Sequence, residues 1–145
     1  MIAYWDNRRA AAESGVAVST LARDLAAMRT REWAHRFVIG FDPANEDTAA
    51  LVHFGTNFAR LLQIPPHSEP PLEVRGCLPE PYPEIFLGGC RDAIAGHGAV
   101  LVQRLIDRAD RGREMFRCCF IPIAAESGTA VRFVLGAYNS RSVDR

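Results

Sequence analysis

Over the last third of the chain, apolar residues come in short runs separated by turn residues. Ala99 to Asp107, Glu114 to Ile123 and Val131 to Tyr138 are each rich in Val, Ile, Leu and Phe, and each gap between them is short and polar or glycine-bearing. That pattern predicts three consecutive β-strands paired antiparallel as a meander. Upstream, Trp33 to Phe41 reads as a strand closed by Asp42-Pro43, and Ala50 to Phe54 as a second strand. At Gly55 the period changes: Phe58, Leu61 and Leu62 follow at helical spacing, so strand gives way to a short helix.

Two longer helices complete the pattern. Val18, Leu21, Leu25 and Met28 fall three and four apart, a narrow apolar seam on a helix from about Ser19 to Glu32. Phe86, Cys90, Ala93 and His97 repeat at four, three and four, placing one face of a helix from Pro83 to about Ala95, with Pro83 near its first turn. Gly88-Gly89 inside that helix costs about 1 kcal/mol per glycine and marks close approach of a neighbour or a kink. Between residues 63 and 83 stand seven of the nine prolines, a density that forbids regular helix or an interior strand. Neither side of this arm has enough sequence to bury a core alone, so it belongs within one domain.

Composition narrows the class. With 145 residues, 48% of them hydrophobic and 23% charged, and 17 basic against 17 acidic groups, the chain reads as a single soluble domain. The balanced charge argues against a dedicated nucleic-acid binder, whose footprint is a basic surplus. All the basic residues are Arg and none is Lys, spread along the whole chain, which reads as coding bias. No apolar run approaches the roughly 18 residues that cross a bilayer, and the first 15 residues lack the order of a signal peptide, so a cytoplasmic location is expected. Cys77, Cys90, Cys118 and Cys119 form no regular framework and read as reduced thiols.

The order of elements and three local strings resemble a PAS domain. LVHFGTNFARLLQIP (residues 51–65) resembles the family's second strand running through a glycine into its first short helix. RDAIAGHGAVLVQ (91–103) resembles the long helix ending in glycine before the next strand. REMFRCCFIPI (113–123) followed by GTAVRFVLGAYN (128–139) is similar to the closing strands of short bacterial PAS domains. The resemblance implies an α+β fold: a five-stranded antiparallel sheet with helices on one face and the N-terminal helix covering the other. Residues 34–140 are then the PAS-like domain, 1–33 a helical extension and 141–145 a tail. The Pro-rich arm departs from the family's short helices at the pocket entrance.

The family often leaves a cavity between helices and sheet. Placing the Phe-bearing strand faces inward gives a candidate ligand-binding set of Phe54, Phe58, Leu62, Phe86, Cys90, His97, Phe116, Cys118 and Phe133. On this reading Leu135 and Ala137 also face inward, whereas Met115, Cys119, Ile121, Val134 and Tyr138 form an outer apolar patch that needs a cover. The seam of Leu21, Leu25 and Met28, with Met115, Ile121 and Val134, is the expected homodimer interface. Gln103 and Arg104 leave the facing of the first meander strand open.

His97 falls where some PAS proteins carry a haem ligand, although a histidine beside glycines at a helix end more often caps it. The cysteines do not match the flavin-reactive motif of light-sensing relatives. No metal-ligand spacing and no catalytic signature is present, so the cofactor is unnamed and no enzyme activity is expected. The implied function is a sensory or regulatory module that binds a small apolar ligand or a protein partner and signals to a separate protein through dimer or partner contacts. The competing readings are a small enzyme on the cone-shaped isomerase or dehydratase scaffold, with only Arg104 or Asp92 to offer, and a ligand-free dimerisation module.

Overall fold

The computed structural model describes residues 34–108, 112–125 and 128–143. The predicted helix near residues 19–32, with Leu21, Leu25 and Met28, lies outside them. The chain runs β1 (Arg36–Phe41), a single 3₁₀ turn (Glu46–Thr48), β2 (Ala50–Phe54), α1 (Thr56–Leu61), β3 (Leu72–Glu73), α2 (Val74–Cys77), α3 (Tyr82–Gly96), β4 (Val100–Arg108), β5 (Gly112–Ala125) and β6 (Arg132–Ser142). The architecture is α+β with one antiparallel sheet ordered β3-β2-β1-β6-β5-β4. β4, β5 and β6 form the expected meander, and β6 crosses back to pair with β1.

The sheet has six strands where five are expected. The extra one, β3, pairs Glu73 with Ala50 and Leu72 with Leu51 at the β2 edge, directly after Pro70-Pro71. Proline at an edge leaves no interior hydrogen bond unmade, which is why the arm can carry a strand there. The residues from Val74 to Cys77, free of proline, then make the single turn of α2. The arm is thus less irregular than its prolines suggest.

One side of the sheet holds the core. Phe37, Ile39 and Phe41 of β1, Phe116, Cys118 and Phe120 of β5 and Val134 and Tyr138 of β6 pack with Phe58 of α1 and Ile85, Phe86, Cys90 and Ala93 of α3. Gly89 has its reason here: the Phe120 ring lies where its Cβ would stand. Gly136 likewise leaves room for the Phe37 ring. At these two positions only glycine lets a large ring lie against the backbone, Phe120 on α3 and Phe37 on β6.

Register corrects the faces of β6. Cys118 pairs with Tyr138, and Ile39 with Val134, so Val134 and Tyr138 point into the core together with Cys118 and Ile39. Phe133, Leu135 and Ala137 point the other way; Phe133 stands across from Gly40 in the β1–β6 register. The inward choice on β6 was decided by its two neighbours, not by where its Phe falls. On β4, Val100, Val102 and Ile106 pack on the core, which settles that strand's facing.

The opposite face is also apolar at its centre. Val38, Leu135 and Ile121 align across β1, β6 and β5, and all three are buried. Leu101 and Leu105, farther out on β4, are exposed. Met115, across from Leu105, is half-buried. Ion pairs fasten the loop after β1 to the helices: Arg91 grips Glu46 through two bonds of 2.7 and 2.6 Å, and Arg75 bridges Asp47 and Glu84 at 2.6 and 2.8 Å. The Arg91 bond lowers the Glu46 carboxyl below its usual range.

Candidate functional site

The strand-to-helix join at Gly55 positions the first part of the site. Gly55 is buried, donates its N–H to the Arg36 carbonyl at 2.9 Å, and starts α1 in extended backbone. Phe58 then drops its ring onto Phe37, centroids 5.1 Å apart, and Leu62 is buried beside it. From α3, Phe86 sits 5.2 Å from Phe37 and 5.5 Å from Phe120. Of the predicted ligand-binding set, Phe58, Leu62, Phe86, Cys90, Phe116 and Cys118 come together in this one cluster. Phe54 packs at its margin. The rings interlock in tilted and edge-to-face pairs, the arrangement that aromatic quadrupoles favour.

Two members fall elsewhere. Phe133 is on the far face of β6, as the register requires. His97 is exposed: α3 ends at Gly96, and His97 takes a left-handed backbone (φ 52°) as Gly98 donates to the Ala93 carbonyl at 3.3 Å. That helix-closing turn carries the His97 side chain off the face shared by Phe86, Cys90 and Ala93, away from the position a core haem ligand would need. In the predicted dimer set, Ile121 does lie on the far face, whereas Val134 belongs to the core.

At the hairpin end of the cluster the core becomes polar. Glu114 and Arg108 are buried, and Arg108 Nη1 donates to Glu114 Oε2 at 3.1 Å. The same carboxylate oxygen accepts from the Tyr82 hydroxyl, which accepts in turn from the Tyr138 hydroxyl at 2.6 Å. Arg108 Nη2 donates to Gln63 Oε1 at 2.6 Å, and its guanidinium lies 5.5 Å above the Tyr82 ring. Gln63 adopts a left-handed backbone (φ 61°), a conformation that non-glycine residues seldom take without a tertiary reason.

Five residues from five parts of the chain thus share one network: Gln63 after α1, Tyr82 opening α3, Arg108 ending β4, Glu114 on β5 and Tyr138 on β6. Tyr138 is held from behind as well. His35 Nδ1 donates to its carbonyl at 3.2 Å, and Asn57 of α1 donates to His35 Nε2 at 3.2 Å.

Electrostatics follow from burial. Burial pushes the Tyr138 phenol up to about 12, and burial together with the Glu114 bond raises Tyr82 further. Both phenols therefore remain protonated donors toward a carboxylate neutralised by Arg108. Paired and hydrogen-bonded in this way, the charges avoid the cost of an isolated buried ion. The network ties the β4–β5 hairpin to the helices and to β6.

Sequence reasoning missed this network. The signal that reaches it is the alternation Val102, Arg104, Ile106, Arg108, which continues one residue past the predicted end of the first meander strand and turns Arg108 inward beside Glu114.

A separate cleft opens beside α1. It encloses about 350 Å³ and is lined by Phe54, Thr56, Ala59, Arg60, Ile64 and the Pro65-Pro66 step. Among the described residues no three His, Cys, Asp or Glu side chains converge to hold a metal ion, and no helix is long and apolar enough to cross a membrane.

No family model matches the sequence, and no curated protein matches it. Solved structures do match. One is of a fungal LOV domain photoreceptor, similar to this chain with a TM-score of 0.44 and 18% identity over 88% of this chain and 94% of that one.

Proposed function

We propose that this chain is a PAS-type sensory or interaction module that signals through contacts with a second copy or a partner protein. The observation that carries the reading is a single sheet with apolar residues on both faces. Phe37, Phe120 and Val134 point to the helices; Val38, Ile121 and Leu135, their immediate neighbours in the same strands, point the other way. A repacking of rings on one side must shift strands whose alternate side chains form the other surface, because close-packed layers transmit displacement rather than absorb it. The helices on one face and the meander that closes the sheet also agree with the PAS resemblance in residues 51–65, 91–103 and 113–139.

Aromatic rings occupy the space between helices and sheet, so a ligand entering there displaces one or more of them. This favours partner contacts, or a small apolar ligand, over a large group such as haem. The test is the purified protein's absorbance spectrum together with its native mass before and after denaturation. A dimer, or a bound molecule released on denaturation, supports the module; a ligand-free monomer overturns it.

A second reading is favoured by one feature. A small isomerase or dehydratase needs an acid or base facing the interior, and Glu114 with Tyr82 and Tyr138 supplies that chemistry. Glu114 is buried and its carboxylate is already bonded by Arg108 and Tyr82, which weighs toward a structural clamp. Proton exchange at the α-carbon of a small ketone in deuterated water, abolished by Glu114→Gln, would decide for the enzyme.

A further inference from the structure

We infer that the cleft beside α1 is a binding site for a small amphipathic carboxylate, a molecule with one anionic head and a short apolar body. The site lies outside the helix-sheet interior and does not depend on the signalling role proposed above. At about 350 Å³ it falls within the range of small-molecule sites. Its walls are chemically divided. Phe54, Ala59, Ile64, Pro65 and Pro66 give an apolar floor and rim, whereas Thr56 and Arg60 stand four residues apart on one side of α1 and present a hydroxyl and a guanidinium together.

The backbone around the cleft is fixed. α1 closes with Gln63 N–H on the Arg60 carbonyl at 3.3 Å and Ile64 N–H on the Ala59 carbonyl at 2.9 Å. The left-handed Gln63 turns the chain, so that Ile64, Pro65 and Pro66 face α1. Ser68 N–H bonds the Pro65 carbonyl at 3.0 Å and holds the far rim. The two prolines cannot donate hydrogen bonds and rotate little, so they offer a stiff apolar surface.

The charge of the occupant follows from Arg60. Arg75, Arg91 and Arg108 each have a carboxylate partner, but among the described residues Arg60 makes no ion pair or side-chain hydrogen bond. It is exposed at the mouth of an apolar cleft, with its fork of donors available to a carboxylate. An uncharged apolar ligand would leave Arg60 and Thr56 unused, and a free inorganic anion would leave the apolar floor wet.

Octanoate is the probe, and 1-octanol its uncharged counterpart, each titrated into the full chain by calorimetry and by amide chemical shifts. The expected result is saturable one-to-one binding of octanoate, with shifts centred on Phe54, Ala59 and Ile64. Octanol should bind about fivefold more weakly, since an exposed ion pair contributes on this scale. Arg60→Gln, a change at an exposed position, should reduce octanoate affinity to that of octanol, and Arg60→Glu should invert the preference. Absence of saturable octanoate binding, unchanged affinity in Arg60→Gln, or shifts centred on Phe86 and Phe116 would each overturn the assignment.

Discussion

Arg108 and Glu114 face each other across the mouth of the β4–β5 hairpin, Nη1 to Oε2 3.1 Å, with 1% and 7% of their side chains exposed. A pair this deeply enclosed is costly to break from one side, because the surviving charge is left without its partner in a poorly solvated place. Arg108→Ala is expected to destabilise the protein by about 3–5 kcal/mol. The double variant Arg108→Met with Glu114→Leu should cost clearly less than the sum of the two single changes. Urea unfolding of the four proteins closes the cycle, and additive losses would show that the pair is not coupled.

The two tyrosines attached to that pair give the fold an alkaline limit. The Tyr138 phenol, ordinarily near 10, is raised to about 12, and Tyr82 is raised as well. Between those values the folded chain keeps protons that the unfolded chain has lost. Stability is therefore fully present below about pH 9 and declines as the pH passes from about 10 toward 12. Urea midpoints measured across this range should stay level and then fall, and tyrosinate absorbance from Tyr82 and Tyr138 should appear only as the protein unfolds. Their ionisation in a still-folded protein would contradict the closed network.

Adjacent glycines in α3 should respond in opposite directions. Gly89→Ala pushes a methyl into the Phe120 ring and is expected to cost about 1–3 kcal/mol despite the better helix former. At Gly88 the nearest atom to a new Cβ is Arg91 Nη1 at 4.0 Å, so Gly88→Ala should stabilise by up to about 1 kcal/mol. Thermal midpoints of the two variants measure this contrast.

The four thiols are expected to be slow in the native protein. Burial raises Cys90 and Cys118, which are fully enclosed, and also Cys119; it pushes Cys77 up to about 11. Since the thiolate is the reactive form, Cys77 should react with an aromatic disulfide reagent about a hundredfold more slowly than a free cysteine at pH 8. All four should react promptly in denaturant. A native cysteine labelled at the free rate would show an opening of the core near it.

The sequence by itself determined the elements. Ala50 to Phe54 as a strand, the change of period at Gly55, the long helix with Pro83 in its first turn and the closing meander are local facts, since turn residues and hydrophobic spacing act over a few neighbours. It also marked Gly88-Gly89 as a close approach or a kink; the structure decided for close approach and placed it at Gly89, under the Phe120 ring. Which residues of β6 face the core was decided elsewhere, by pairing Cys118 with Tyr138 and Ile39 with Val134. Alternation gives two faces but does not label them. The short edge strand β3 depended on β2 being there to accept it.

The polar network shows the same limit most sharply. Gln63, Tyr82, Arg108, Glu114 and Tyr138 span 76 positions of chain and carry no spacing that names them as a set. Their meeting requires the hairpin, both helices and β6 to be in place first. Periodicity records how each segment buries its own face, whereas a buried charge pair exists only once several segments have excluded water from one point.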